Sequence, residues 1–176
     1  RRFTMTSKPR IASISTLLVI ATLIVPGALV GVVVGAEAAT ITAEPNTVGA
    51  ISTHTVTAAV EAADDGAPLN DLVVDYNSAS RRANVNGVTK SDVLKVGVDT
   101  DGDGTIDTSL SDSLTDVTHE NNFHTIEFNF DGSYTLDAST DRIIITFKGV
   151  TNPSEPGTYQ TQVAINSETT DNPAKA

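Results

Sequence analysis

Apolar and polar residues alternate with a period of two along most of the chain after residue 40. This period places successive side chains on opposite faces of a β-strand, so each run predicts a strand with one buried and one solvated face. No stretch after residue 40 has a convincing helical period. The runs that we interpret as strands are His54–Val60, Leu72–Tyr76, Leu94–Val98, Ile126–Phe130, Ile143–Phe147 and Tyr159–Ile165.

Turn-forming dipeptides separate these runs. Gly and Asn tolerate positive φ, so Asp65-Gly66, Asn86-Gly87 and Asp131-Gly132 predict tight turns. We interpret Phe128–Leu136 as a hairpin around the last of these turns. The predicted fold is all-β: an antiparallel β-sandwich of about eight or nine strands, Ig-like or a Greek-key variant.

The N-terminal segment has a different character. Lys8 and Arg10 precede an uncharged apolar run over residues 11–35, which ends at Ala36-Glu37-Ala38. Basic residues, an apolar region and a small-x-small site are typical of a secretory signal. The run is also long enough for a membrane-spanning helix, which needs about 20 residues. We therefore expect residues 1–38 to be a signal peptide or a retained N-terminal anchor helix, residues 39–167 the β-sandwich domain, and residues 168–176 a flexible tail.

Charge narrows the choice of partners. The chain has 22 acidic and 11 basic residues, of which one acid (Glu37) and four bases precede residue 39. Residues 39–176 therefore contain 21 acids and 7 bases, a net charge of −14. Such a surface repels nucleic acid and anionic lipid. The composition fits an ordinary acidic secreted domain or, as we favour, a protein from a halophile, because molar salt screens the mutual repulsion of the acids. The chain has no Cys, so packing, and a metal if one binds, must stabilise the domain.

One motif carries a definite chemistry. The segment Asp99-Thr-Asp101-Gly-Asp103-Gly-Thr105-Ile-Asp107 places acids at positions 1, 3, 5 and 9 of a loop, with a backbone carbonyl available at position 7. Calcium prefers six to eight hard oxygen ligands in this type of arrangement. The candidate metal ligands are therefore Asp99, Asp101, Asp103, Thr105 and Asp107, and a site of this kind should be structural and weak.

A plain acidic turn is the alternative reading of the same loop. Position 12, where a calcium loop has a bidentate Glu, is Leu110, and Asp112 or Asp116 would have to fold back to replace it. The flanking segments Leu94–Val98 and Thr105–Leu110 are also predicted strands rather than helices. Surplus Asp is expected in a halophile, so both readings stay open.

Catalytic signatures are scarce. The sequence has no Gly-x-Ser-x-Gly segment and no Cys nucleophile, and we expect no enzymatic activity. A glycosidase-type carboxylate pair would be invisible in the sequence, so a secreted hydrolase remains the third alternative. His119 and His124 flank a predicted turn but have no third metal ligand, and His54 is interpreted as a strand-end residue rather than a ligand.

Four segments resemble a β domain of secreted and cell-surface proteins of haloarchaea, an Ig-like or adhesin-like surface module. They are Ser52–Thr57, Leu69–Tyr76, Val96–Gly104 and Lys148–Tyr159, and they span most of residues 40–166. The resemblance implies an exported surface module. Many such proteins also carry a C-terminal sorting helix, which we do not predict here, so tethering would depend on residues 11–35.

These observations predict a non-enzymatic, extracellular or cell-surface structural or binding domain of a halophilic archaeon. The expected partners are other envelope or surface proteins, or the chain itself. We expect no binding to nucleic acid. We expect contact with the membrane only through residues 11–35, and only if this segment is not cleaved. A self-assembling filament or lattice subunit is the alternative, with Thr40–Glu44 and the C-terminal segment as candidate donor strands for a neighbour's sheet. Calcium is the one cofactor that the sequence suggests.

Overall fold

The structure, a computed structural model, describes residues 30–33, 39–76, 82–156 and 158–166. It is all-β, without an α-helix in these residues. The strands are β1 (Val30–Val33), β2 (Ala39–Glu44), β3 (Ile51–Ala59), β4 (Asp71–Asp75), β5 (Val93–Asp99), β6 (Thr108–Ser109), β7 (Leu114–Glu120), β8 (Thr125–Phe130), β9 (Arg142–Thr151) and β10 (Thr158–Ile165).

The strands form two five-stranded sheets. Sheet I has the order β1-β10-β4-β8-β7, and sheet II has the order β2-β3-β9-β5-β6. Neighbouring strands are antiparallel throughout, except that β1 runs parallel to β10. Two antiparallel sheets with a shared apolar interior are consistent with the predicted β-sandwich, and the all-β prediction is confirmed.

The apolar core lies between the sheets. Phe128 of sheet I and Phe147 of sheet II are both fully buried, and their ring centroids are 5.0 Å apart at an interplanar angle of 55°. Burying a Phe side chain contributes about 1.5–3 kcal/mol, so this ring pair stabilises the contact between the sheets. The buried positions of β3, β4 and β8 follow the alternation in the sequence. In β9 the predicted solvated face is wrong in part, because Ile144 and Thr146 are buried together with Ile143, Ile145 and Phe147.

The predicted buried face of β5 is wrong in part. In β5 the alternation predicted that Leu94, Val96 and Val98 share the buried face, but Leu94 is 55% exposed. A register shift between Val93 and Lys95, opposite β9, interrupts the alternation at this point. Val96 and Val98, which follow the shift, are buried as predicted.

The predicted hairpin over residues 128–136 is also wrong. Gly132 does lie in a turn with a φ of +73°, but the chain does not return along β8, because β4 and β7 already occupy both edges of that strand. Instead, Tyr134 accepts a hydrogen bond from the Leu69 N–H at 2.8 Å, and Leu136 bonds through its backbone to residues 66 and 67. Residues 131–141 thereby connect sheet I to sheet II.

Most of the predicted leader and the whole predicted tail lie outside the described residues. The exception is β1, which falls within the apolar run and pairs with β10 from Val30 opposite Thr158 to Val33 opposite Thr161. Across the part of the chain that the structure describes, no helix has the length and hydrophobicity needed to cross a membrane.

Candidate functional site

The aspartate-rich segment forms the loop of a β-hairpin at one end of sheet II. β5 and β6 pair with Gly97 opposite Ser109 and Val98 opposite Thr108, as the sequence predicted for a turn between two strands. A Cβ at Gly97 would lie 2.3 Å from Ile106 Cγ2 and 2.3 Å from the Thr108 carbonyl oxygen. Gly97 therefore allows the hairpin to close tightly and the Ile106 side chain to cover the outer face of β5.

Asp99 organises the loop. Its side chain is buried, and it accepts hydrogen bonds from the N–H groups of Asp101 at 3.2 Å and Gly102 at 2.6 Å on Oδ1, and of Gly104 at 2.9 Å on Oδ2. Burial raises the pKa of the Asp99 carboxyl, but these three donors and the positive charge of Arg142 outweigh it, so the pKa lies below its ordinary value. The group is therefore a carboxylate at neutral pH.

Three of the predicted ligands come together. Asp99, Asp101 and Asp107 each offer a carboxylate oxygen, and these oxygens all lie within 4.8 Å of one another. Asp107 is fixed by its Oδ2, which accepts from Thr100 N–H at 2.8 Å and Thr100 Oγ1 at 2.7 Å. Three carboxylates this close together repel one another unless a cation balances them.

The other two predicted ligands lie outside this group. The side chain of Asp103 accepts a hydrogen bond from the Thr105 N–H at 2.6 Å, which holds that part of the loop in a turn. Asp103 does not belong to the cluster of carboxylate oxygens, and Thr105, which was predicted to bind through its backbone carbonyl, has no carboxylate to contribute to it. The predicted hairpin loop is therefore present, and three of the four Asp side chains of the motif form the acidic cluster.

Position 12 of the motif offers no ligand. Leu110 is 3% exposed and belongs to the hydrophobic core, and its N–H donates to the Val96 carbonyl at 2.9 Å. Asp112 and Asp116, the residues considered as substitutes, are not in the acidic cluster of the described residues. Waters would have to complete a calcium shell at this loop.

A cationic side chain lies beside the cluster. Arg142 is directly opposite Asp99 in the β5–β9 ladder, and its Nη1 would be 2.1 Å from a Cβ at Gly102. Gly102, with a φ of +79°, therefore lets the guanidinium pack against the loop backbone. Arg142 partly balances the negative charge, and the remaining donor set consists of hard oxygens, which suit calcium rather than zinc.

The two histidines that flank the β7–β8 turn do not form a metal group with other His, Asp or Glu residues in the described ranges. His124 Nδ1 is 2.7 Å from the Ala83 carbonyl oxygen, to which it donates. His119 Nε2 is buried and has no hydrogen-bond partner among the described residues, while its ring contacts Phe123 with a centroid distance of 5.9 Å.

The sequence interpretation of His54 as a strand-end residue is wrong. It lies inside β3 rather than at a strand end, and it is only 4% exposed. Its Nδ1 is 2.7 Å from Tyr76 Oη, and its Nε2 is 3.2 Å from Asn152 Oδ1. Burial lowers its pKa from 6.5 to about 4, against a smaller raising effect of the Asn152 hydrogen bond, so the imidazole is neutral at pH 7.

Asn152 determines the tautomer of this histidine. Its Nδ2 donates to the carbonyl oxygens of Pro45 and Thr47, each at 2.9 Å, so its Oδ1 must act as an acceptor. That oxygen also accepts from Ser52 Oγ at 2.8 Å. His54 therefore carries its proton on Nε2 and accepts from the Tyr76 hydroxyl on Nδ1. Nothing in the local sequence around His54 indicates Asn152, which lies 98 residues further along the chain.

Comparisons with protein-family models, with curated proteins and with solved structures find no match for this chain.

Proposed function

We propose that this protein is an exported, non-enzymatic structural domain at the surface of a halophilic archaeon. The observation that carries the proposal is how its carboxylates are distributed on the fold. Among the described acids only Asp99 and Asp141 are buried, while the inner faces of both sheets are apolar. A densely carboxylated surface around an apolar sandwich suits a protein that works in brine, where self-repulsion is screened.

The connections of the sandwich support the finer fold proposal. β3 and β4 are consecutive but lie in different sheets, and β9 returns to lie between β3 and β5. Crossings of this kind are typical of Greek-key and Ig-like sandwiches, which serve widely as surface modules. A signal peptide or anchor helix within residues 1–38, the range that the sequence predicts, belongs to the same proposal.

The test of this proposal is the location of the full chain in a haloarchaeal host. We expect the protein in the medium or in the envelope fraction, and accessible there to external protease. Mass spectrometry of its N-terminus would distinguish a cleaved leader from a retained anchor. A protein that stays in the cytosol with its N-terminal segment intact would contradict the proposal.

Calcium is the cofactor that we propose for the aspartate loop. Asp99 is held by backbone donors, and Asp101 and Asp107 each keep one carboxylate oxygen that accepts no hydrogen bond from the described residues. These oxygens, the Thr105 carbonyl and waters are the ligands that we propose for a weak site, with a dissociation constant of roughly 10⁻⁴–10⁻³ M. Its role would be to stiffen the β5–β6 hairpin.

A calcium titration of thermal unfolding in molar KCl tests the site. We expect the melting temperature of the unaltered chain to rise with calcium. Asp101→Asn should abolish the rise, whereas Asp112→Asn, which removes the same charge outside the cluster, should retain it. An unchanged melting temperature at roughly ten times the expected dissociation constant, or an equal response of both variants, would exclude the site.

A further inference from the structure

The sequence contains one Asn-Gly dipeptide, Asn86-Gly87, and the structure places it at the surface. The Val88 N–H donates to the Val85 carbonyl oxygen at 2.9 Å, so Asn86 and Gly87 are the two central residues of a β-turn. Both are exposed, whereas Val85 and Val88 on either side of them are fully buried. The turn that the sequence predicted is therefore present, and its two central residues face water.

Two groups of this turn are positioned to react with each other. Among the described residues, the Asn86 carboxamide and the Gly87 N–H have no hydrogen-bond partner. The Asn86 N–H, by contrast, donates to Asn84 Oδ1 at 3.0 Å. The Gly87 nitrogen is bonded to the carbonyl carbon of Asn86, so its approach to the carboxamide of the same residue is a local rotation. Gly87 has no Cβ to hinder that rotation.

We propose that Asn86 is the preferred site of spontaneous deamidation in the folded protein. The Gly87 nitrogen attacks Asn86 Cγ and forms a new C–N bond, the Cγ–Nδ2 bond breaks, and ammonia leaves with the proton of the Gly87 amide. Water then opens the resulting succinimide ring at one of its two carbonyl carbons. The product is aspartate or, where the main chain now runs through the former side chain, isoaspartate.

The fold protects three of the four Asp-Gly dipeptides, which form the same ring with loss of water. Their glycine N–H groups are all hydrogen-bonded. Gly66 donates to the Leu136 carbonyl oxygen at 2.9 Å. Gly102 and Gly104 donate to the Asp99 carboxylate at 2.6 and 2.9 Å. A nitrogen whose proton is held in this way is not free to attack, so these dipeptides should react slowly while the chain is folded.

The fourth dipeptide, Asp131-Gly132, is protected through its carboxyl group. Hydrogen bonds from the side chain and then the N–H of Ser133 hold the pKa of Asp131 below its ordinary value. Ring closure requires the neutral acid, which loses its hydroxyl as water, and the carboxylate has no such leaving group. The Asn86 carboxamide is uncharged at neutral pH, so its reaction does not have this barrier.

Isoaspartate would disturb the packing around the turn. It adds one methylene group to the main chain between Val85 and Val88, whose side chains are both fully buried. The same segment is fixed to β9, because the Asn84 N–H donates to the Thr151 carbonyl oxygen at 2.9 Å and the Thr151 N–H donates back at 2.8 Å. A longer main chain cannot keep both valines and this bridge in place. The isoaspartate product should therefore unfold at a lower temperature than the aspartate product.

Incubation of the full chain in molar KCl at mildly alkaline pH tests the proposal, because base removes the Gly87 amide proton. Peptide mapping by mass spectrometry should find the conversion of amide to acid at Asn86 before it appears at Asn70, which is also exposed but precedes Asp71. Gly87→Ala is the matched variant, because its Cβ would lie 3.4 Å from the nearest atom and the fold should persist. Its reaction should be at least about tenfold slower, which corresponds to about 1.4 kcal/mol in the barrier.

A parallel incubation in urea separates the effect of the fold from that of the dipeptide. Isoaspartate should form at Asn86 in both samples, but at the Asp-Gly dipeptides only in the unfolded chain. An Asn86 that reacts in urea and stays intact in the folded chain would overturn the proposal. Equal rates at Asn86 and Asn70, or in the unaltered chain and Gly87→Ala, would overturn it as well.

Thermal unfolding of the products completes the test. The isoaspartate-containing fraction should melt below Asn86→Asp, which has the same charge and a main chain of normal length. Equal melting temperatures would contradict the expected disturbance of packing. The proposal rests on the geometry of this turn, so the location and calcium experiments have independent outcomes.

Discussion

The strongest prediction concerns the acid sensitivity that His54 gives to the fold. Burial lowers the pKa of His54 from its ordinary 6.5 to about 4. Between these values the unfolded chain binds a proton that the folded protein does not bind, so the free energy of unfolding falls as the pH falls. The contribution of His54 is complete above about pH 6.5, and it decreases until the pH reaches about 4.

The size of the loss in unfolding free energy follows from the difference between the unfolded and folded pKa values of His54. A shift of one pKa unit corresponds to about 1.4 kcal/mol, so acidification through the whole window should cost about 3 kcal/mol. Roughly 2 kcal/mol of this should be lost between pH 6.5 and 5, above the range in which most exposed carboxylates titrate. The physical reason is burial, which disfavours the charged imidazolium. Protonation of Nδ1 would also remove the acceptor for the Tyr76 hydroxyl, whose oxygen lies 2.7 Å away.

Urea unfolding at constant molar KCl, followed by circular dichroism from pH 5 to 7.5, measures this effect. His54→Gln removes the titrating group, so its free energy of unfolding should depend less on pH than that of the unaltered chain, by about 2 kcal/mol over this range. His124→Gln, which removes a half-buried histidine bonded to a backbone carbonyl, is the matched control. Equal pH dependence in the unaltered chain and in His54→Gln would refute the reasoning.

Two further predictions test the hairpin and the buried network. Gly97→Ala should destabilise the domain by about 1–3 kcal/mol, because the new Cβ would lie 2.3 Å from the Thr108 carbonyl oxygen. Calcium should no longer raise the melting temperature of this variant. Gly87→Ala is the control, because its Cβ would lie 3.4 Å from the nearest atom, and it should behave like the unaltered chain. A stable Gly97→Ala protein would mean that the hairpin is looser than described. Asn152→Ala should lower the free energy of unfolding in urea by about 2–4 kcal/mol, because the variant leaves His54 Nε2 and the Pro45 carbonyl without their hydrogen-bond partners. A loss below about 1 kcal/mol would argue against the network.

The strands could be predicted from the sequence because their pattern is local. Alternation identified six strands, including the faces of β3 and β8, since a period of two is a property of consecutive residues. It failed at Leu94, where a register shift depends on the partner strand, and at the supposed hairpin after Phe130. Whether a chain turns back depends on which edges are already occupied, and the local sequence does not contain that information.

The candidate site also has local features that the sequence predicts and features that depend on distant residues. The aspartate loop is contiguous, so its turns and the hairpin around it could be predicted from spacing. The separation of Asp103 from the cluster and the packing of Arg142 against Gly102 depend on side-chain geometry and on β9, which is distant in sequence. His54 was misplaced because a histidine on an apolar face is explained only by Tyr76 and Asn152, both far along the chain.

The salt dependence of thermal unfolding tests the central claim most directly, that this is an apolar sandwich with a self-repelling carboxylate surface suited to brine. Burial and the neighbouring charge of Asp64 both raise the pKa of Glu61, which makes this residue a local probe of the repulsion. The account predicts that the melting temperature rises from about 0.15 M to molar KCl, and rises less in Glu61→Gln, because screening has less repulsion to remove. A melting temperature that stays constant or falls over this range would contradict it.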